Sequence, residues 1–247
     1  MKAELQRVWR DTLDVVFPRV CVSCQGVVEE RENHVLRHVC AACAQQLQIV
    51  APPHCGTCGH PYYGQAEENR LCEHCEALVP DFGAGKTAIL LRGPGRSLIH
   101  ALKYRHALHV LEDVAALMRC APGYAEFVRG KVIVPVPLHP RKLRERGYNQ
   151  SRLLAECAVR AAGGATRVAE LLVRAVDTVS QTQFDRAARQ RNLKNAFALA
   201  PGAVITPGHH YLLIDDVFTT GSTLNACAAV LRKAGALNLD VVTFGHG

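Results

Sequence analysis

Two adjacent carboxylates, Asp215 and Asp216, are followed after Val217 and Phe218 by a hydroxyl-rich turn, Thr219, Thr220, Gly221, Ser222 and Thr223. Such a turn at the start of a helix offers backbone amides and hydroxyls to an anion, and its glycine lets the backbone close tightly on a phosphate. Two carboxylates suit vicinal hydroxyls or a divalent ion instead. Set in one strand–turn–helix unit, the two halves describe a single ligand with a phosphate at one end and a sugar diol beside it. The bland alternative is an acidic pair that happens to precede a helix cap; it accounts for each half but not for their order.

The cysteines are the second chemistry-bearing set. Eight of the eleven form four CxxC pairs, Cys21/Cys24, Cys40/Cys43, Cys55/Cys58 and Cys72/Cys75. The intervals between pairs are fifteen, eleven and thirteen residues. This long–short–long rhythm reads as two consecutive units of CxxC, hairpin, CxxC. Each unit supplies four thiolates, a closed tetrahedral zinc site with no open position. Interleaved pairing, first with third and second with fourth, is the alternative. A segment this small, with few large apolar residues, needs its metals to fold. Because eight thiolates fill two sites, His34, His38, His54, His60 and His74 are expected at the surface. Cys120, Cys157 and Cys227 stand in apolar surroundings and read as core thiols.

The elements that must position these groups follow from periodicity. Residues 211–214 form an apolar strand that ends at the acid pair. Leu224, Ala228, Leu231 and Ala234 recur at helical spacing until Gly235 stops them. The stretch 131–137, KVIVPVP, predicts a buried parallel strand with Pro135 and Pro137 near its end. Directly after it, 138–146 sets Arg141, Lys142, Arg144 and Arg146 against Glu145, a second strand-end loop aimed at an anion, and a helix follows over about 149–162. Helical patterns cover 95–104 and 107–120; for Lys103, at the end of the first, a solvated lysine and a functional one stand level. A strand is expected over 166–174, then a basic loop holding Arg174, Arg186, Arg189, Arg191 and Lys194 that could cover a phosphorylated ligand, and a last strand over 240–244. Gly83 to Thr87 imitates the end of a P-loop, but Pro80 occupies the first glycine position, and the segment reads as a strand entrance. Near the start, Leu5, Val8, Trp9, Leu13, Val16 and Phe17 share one face of an amphipathic helix that Pro18 ends. The expected organisation is thus an amphipathic helix over 1–18, a zinc-binding segment over 19–79 and an α/β unit over 80–247.

The chain has 247 residues, 49% of them apolar, enough for a real core, and no stretch approaches membrane-spanning length. The net charge of +7 suits an anionic ligand, phosphorylated metabolite or nucleic acid, without choosing between them. The amino-terminal apolar residues are spaced among charges, unlike an export signal, so metal binding is expected over disulfides, in a cytoplasmic setting.

YLLIDDVFTTGST at 211–223 resembles the phosphoribosyl pyrophosphate (PRPP) motif of type I phosphoribosyltransferases. Together with the cysteine pairs, LKYR at 102–105, VPVPLHPRKLRERGYNQS at 134–151 and RAVDTVSQTQFDRAARQRNLKNAF at 174–197, the chain is similar over nearly its whole length to the ComF family, also described as competence protein F or amidophosphoribosyltransferase-like. The resemblance implies a type I phosphoribosyltransferase-like, mostly parallel sheet flanked by helices, with a small zinc-binding head. It gives Asp215 and Asp216 to the ribose hydroxyls and Thr219, Thr220, Gly221, Ser222 and Thr223 to the 5′-phosphate, with Mg²⁺ bound alongside PRPP. Arg141 is the first candidate to receive pyrophosphate, and Arg186 or Arg189 to close over it. The implied reaction transfers the phosphoribosyl group to an acceptor the sequence does not identify; Tyr148, Phe184 and Phe218 are candidate stacking surfaces. A role in DNA uptake during natural transformation is also implied. The alternative is a non-catalytic factor of competence that binds single-stranded DNA, through 138–146 and 186–194, or docks protein partners, and uses the fold as a PRPP-regulated module.

Overall fold

The computed structural model describes residues 18–29, 35–62, 71–174 and 196–247. The helix expected over 2–17, His34, and Phe184, Arg186, Arg189, Arg191 and Lys194 of the basic loop lie outside these residues. The strands are β1 (Gly85–Leu90), β2 (Val132–Pro135), β3 (Arg167–Val168), β4 (Leu172–Arg174), β5 (Phe197–Leu199), β6 (His210–Phe218) and β7 (Asn238–His246). The helices are α1 (Ala41–Ala44), α2 (Glu73–Leu78), α3 (Gly93–Tyr104), α4 (Leu111–Cys120), α5 (Tyr124–Val128), α6 (Pro140–Arg146), α7 (Gln150–Ala162) and α8 (Ser222–Lys233).

Five strands make one sheet in the order β1–β7–β6–β2–β3, with every neighbouring pair parallel. Strands buried on both faces read as continuous apolar runs, and β2 is buried at all four of its residues. Along β6 the side chains alternate between two cores. Leu212 and Ile214 join Leu98, Leu102, Met118 and Leu154 of α3, α4 and α7 on one face. Tyr211 and Leu213 join Leu224, Cys227 and Leu231 of α8 on the other.

The connections fix where a ligand can sit. From β2 the chain passes through α7 to β3; from β6 it passes through α8 to β7, on the opposite side. The direction of winding therefore reverses between β2 and β6. Beyond the carboxyl ends of those two strands lies the crevice in which open parallel sheets take ligands. β2 stops at Pro135, paired with Ile214, whereas β6 continues to Phe218 along β7. Asp215 and Asp216 are the first residues of β6 past the end of β2.

The cysteine-rich segment is built onto the β1 edge. Residues 48–50 pair with it, Val50 N–H donating to Ala88 O at 2.9 Å and Leu90 N–H to Gln48 O at 2.8 Å. An edge that would otherwise expose a ladder of unpaired amides is thereby covered. Cys21, Val28, Leu36, Val39 and Cys43 enter the core on the α3 face, and Cys55, Cys58, Cys72 and Cys75 enter the core on the α8 face. Gly59, at φ +77°, lets its turn lie flat on β1, since a Cβ there would sit 2.6 Å from Thr87 N.

Several expectations need correction. Residues 140–146 are a helix: Pro140 stands at its first turn, His139 caps it by accepting from Arg141 N–H at 3.2 Å, and Gly147 ends it at φ +76°. The strand expected over 166–174 is two pieces, β3 on the main sheet and β4 in a separate antiparallel ribbon with β5. Cys120 is exposed at the last residue of α4, unlike the buried Cys157 and Cys227. His38, His54, His60 and His74 are half-buried, and His60 and His74 pack in a T-shaped contact with ring centroids 5.4 Å apart. Among the described residues no helix is long and apolar enough to cross a membrane.

Asp113, fully buried on α4, ties the first cysteine unit to the α/β unit by accepting from Arg37 N–H at 2.7 Å and His38 N–H at 2.9 Å. Asp113→Ala strands both amides, so a loss of about 3 kcal/mol is expected, read as a lower urea midpoint with the slope unchanged.

Candidate functional site

The two metal-ligand groups settle the pairing question. Cys21, Cys24, Cys40 and Cys43 converge, and so do Cys55, Cys58, Cys72 and Cys75, with all four sulfurs of each group within 4.8 Å of one another. Consecutive pairs therefore share a site, and the interleaved arrangement is excluded. A tetrahedral zinc with bonds of about 2.3 Å sets its sulfurs about 3.8 Å apart. Cys24–Cys40 at 3.7 Å, Cys55–Cys75 at 3.9 Å and Cys58–Cys72 at 3.4 Å match that spacing. Crowding alone ionises only part of each quartet: burial pushes Cys43 up to about 12, and hydrogen bonding with Cys55 holds Cys58 and Cys75 well above the usual thiol range. Hydrogen bonds from the Cys58, Cys72 and Cys75 thiols push Cys55 toward thiolate. In the first group burial opposes ionisation, but the backbone amides of Cys24 and Cys40 bring Cys21 down to about 7. These quartets fit structural zinc.

The second quartet abuts the hydroxyl-rich turn. Leu78, the last residue of the helix that carries Cys75, lies against Gly221, where a Cβ would come 2.6 Å from Leu78 Cδ2 and 2.5 Å from the Phe218 ring. Gly221 sits at φ +71°, so glycine is required there twice over, by conformation and by space. Asn225, one turn into α8, holds the following segment by accepting from Asp81 N–H at 2.6 Å. His246 lies 3.9 Å from Cys58 Sγ and stacks on Phe218 with centroids 5.2 Å apart. Burial first, then His60, pushes its pKa down to about 4, so the imidazole is neutral at pH 7.

The turn itself opens α8 on a residue with no side chain to cap it, Gly221, and Thr220 Oγ1 accepts from the Ser222 N–H only at 3.4 Å. Thr220 Oγ1 lies 2.9 Å from Ser222 Oγ, which draws two of the expected hydroxyls together at the helix start. This is the geometry that receives an anion. Thr219 is exposed, and Thr220 and Thr223 are half-buried.

The acid pair is asymmetric. Asp215 Oδ1 accepts from Ser151 Oγ and from Asp216 N–H, each at 2.9 Å. Burial, followed by the neighbouring Asp216, pushes its carboxyl up to about 7, against the pull of those donors and of Lys103, although its edge still meets solvent. Asp216 faces the other core, its side chain 7% exposed, with Lys103 Nζ 2.9 Å from Oδ2. That contact is one of charge: among the described residues no group donates an aligned hydrogen bond to Asp216 Oδ2.

Ser151 is the residue sequence reasoning missed, and Lys103 the one it left level between solvated and functional. Lys103 is no solvated lysine, being 22% exposed and turned onto Asp216. Ser151 is fully buried at the start of α7, aimed by Asn149, which accepts from Ser151 N–H and donates to Val136 O, both at 3.0 Å. The Tyr148 hydroxyl donates to the Leu102 carbonyl and so locks the two segments together. The available signal was that LKYR and GYNQS both stood out beside the acidic motif.

Other candidates are placed differently. Arg141 lies on the exposed face of α6, where it pairs with Glu145 at 3.2 Å. Phe218 is fully buried under His246, and Tyr148 is half-buried, its hydroxyl spent on Leu102; neither is an open stacking surface. Elemental analysis of the purified chain is expected to find two zinc ions per chain, and one after Cys72→Ser, with the first quartet still loaded.

A family model described as "Double zinc ribbon domain" matches residues 12–76. The "Competence protein F" of Haemophilus influenzae is 31% identical over 227 residues, 90% of this chain and 94% of the relative. The "DNA utilization protein YhgH" of Salmonella typhi is 30% identical over 210 residues, 82% of this chain and 88% of the relative. Among solved structures, a hypoxanthine phosphoribosyltransferase from Staphylococcus aureus overlaps with a TM-score of 0.33 at 16% identity, covering 54% of this chain and 62% of that one; likeness at that level does not define a fold. Identity of 31% sustained across 90% of its length, with two zinc-site quartets at its amino-terminal end, shows that the chain belongs to the competence protein F (ComF) family.

Proposed function

We propose that this protein binds PRPP at the crevice between β2 and β6, as a module of the phosphoribosyltransferase type, with 19–79 its zinc-binding head and 80–247 its phosphoribosyltransferase-like part. The observation that carries this is the placement of the acid pair and the uncapped start of α8 on one strand–turn–helix, at the point where the sheet reverses its winding. Asp215 and Asp216 would accept from the ribose diol, and Thr219, Thr220, Gly221, Ser222 and Thr223 would enclose the 5′-phosphate. The bound ligand would bring a pyrophosphate leaving group at C1, and Mg²⁺ bound with it would offset the charge of that group. Arg141, with Arg186 and Arg189, is the proposed cationic set for that group. Catalysis of this kind needs no protein nucleophile; it needs the sugar held in place and the leaving charge matched. Transfer to an acceptor, with pyrophosphate released, is the reaction such a module supports.

A second use has its own observation. Tyr104 is 66% exposed, the Arg146 guanidinium carbon stands 5.9 Å over its ring, and His100 lies 4.9 Å beside it. An exposed aromatic flanked by a guanidinium and an imidazole is a stacking platform for single-stranded nucleic acid, and one relative's name refers to DNA utilization. Contact with single-stranded DNA, or with protein partners in competence, is compatible with PRPP acting as a regulator.

Calorimetric titration of PRPP with and without Mg²⁺, beside the Asp215→Asn/Asp216→Asn double variant, tests the proposal. Magnesium-dependent binding lost in the variant is the expected result; no binding to the intact protein refutes it. The pH profile adds a check. A carboxylate accepts two hydroxyls only when ionised, so with the Asp215 carboxyl at about 7, affinity is expected to climb up to tenfold per pH unit below that value and level off above it. Asp215→Asn should flatten the climb. Stability runs the other way: a carboxyl whose folded pKa is raised stabilises fully below its unfolded value of 3.8, and that contribution falls away as pH rises to about 7. A single-stranded oligonucleotide should keep its affinity in the double variant and lose it in Tyr104→Ala if the second use is real.

A further inference from the structure

The acid pair alone does not say whether it serves a neutral diol or a metal ion, because two adjacent carboxylates suit either. Lys103 decides between them. Its Nζ lies 2.9 Å from Asp216 Oδ2, with the lysine side chain 22% and the aspartate side chain 7% exposed, so little solvent screens the contact. It is also held there. Lys103 is the penultimate residue of α3, where a cation complements the helix end, and the carbonyl of the preceding Leu102 is tied to the Tyr148 hydroxyl. Asp215 meanwhile is occupied by neutral donors, Ser151 Oγ and the Asp216 amide.

We infer that Lys103 is a specificity-determining residue that reserves the acid pair for a neutral diol and shuts divalent cations out of it. A cation approaching Asp216 meets a fixed positive charge within contact distance of the oxygen it would need. A hydroxyl does not: it donates to the Asp216 carboxylate and gains an acceptor without displacing a charge, while Oδ2, itself buried, stays on Lys103. The Mg²⁺ that travels with a diphosphate ligand would then be held by phosphate oxygens, apart from the acid pair. This rests on the proposed phosphoribosyl site for the identity of the diol, but the exclusion of cations does not.

The test therefore uses Mn²⁺ alone, followed by electron paramagnetic resonance, on the zinc-loaded full chain at pH 8, above the range in which Asp215 holds its proton. The wild-type protein is expected to leave Mn²⁺ free at the acid pair. Lys103→Met, similar in length and uncharged, is expected to gain a Mn²⁺ site at least tenfold tighter than any in the wild type, and adding Asp216→Asn should remove it. Lys103→Arg keeps the charge and should stay closed to Mn²⁺, which separates a role of charge from one of packing. Unchanged zinc content reports that each variant is folded. If Lys103→Met gains no site, or if wild type already binds Mn²⁺ in an Asp216-dependent way, the inference is overturned. If the Mn²⁺ site appears as expected while PRPP fails to bind the wild type, Lys103 keeps its role and only the ligand is reassigned.

Discussion

Two carboxylates side by side in a half-buried crevice repel one another, and burial opposes the charge on each. The surroundings of Asp215 and Asp216 answer that constraint from several directions. Ser151 comes from the first turn of α7 and the Asp216 amide from the strand itself, while Lys103 comes from the far end of α3. Each donor needs its own support. Asn149 aims Ser151, and Tyr148 fastens α3 to the segment before α7. The cost of the pair still shows in the Asp215 carboxyl, raised to about 7. A protein that needed only a stable strand end would place apolar residues here. Two acids set among groups that tolerate them are what the proposed ligand site requires.

The cysteine segment contributes more than a folded appendage. Its two quartets lie on opposite faces of the sheet, one in each core, and the 48–50 stretch closes the β1 edge between them. The second unit reaches furthest toward the crevice, since Leu78 fixes the space around Gly221 and His246 lies between Cys58 and Phe218. The start of α8 is thus shaped partly by side chains whose own positions depend on the second metal site. A zinc site built into a core in this way substitutes for apolar volume that a short, polar segment cannot supply.

Much of this was legible in the sequence because it is local. The acid pair, the turn and the helix at 211–235 are one contiguous unit whose residue types place a strand end, a turn and a helix start, and the CxxC intervals pointed to the consecutive quartets as the leading arrangement. The helix at 140–146 was equally local, with Pro140 to open it and Gly147 to close it, yet its charges drew attention away from those signals. What was not legible depends on tertiary partners. Lys103 looks like any helix-end lysine until α3 is laid beside β6. Phe218 looks available for stacking until His246 returns over it from the last strand. Cys120 sits among apolar neighbours in sequence but on the solvent side of its helix end. Periodicity reports that a face is buried and leaves open which partner it meets.

The most direct measurement compares the binding of ribose 5-phosphate with that of 2-deoxyribose 5-phosphate to the same zinc-loaded protein. The two ligands share a phosphate and differ in one hydroxyl of the diol. If Asp215 and Asp216 receive that diol, the deoxy sugar should bind roughly tenfold to a hundredfold more weakly, the range set by losing one hydrogen bond to a charged group, and Asp216→Asn should erase the difference. Equal affinity for the two sugars in the wild type would show that the acid pair does not read a diol and would contradict the phosphoribosyl site.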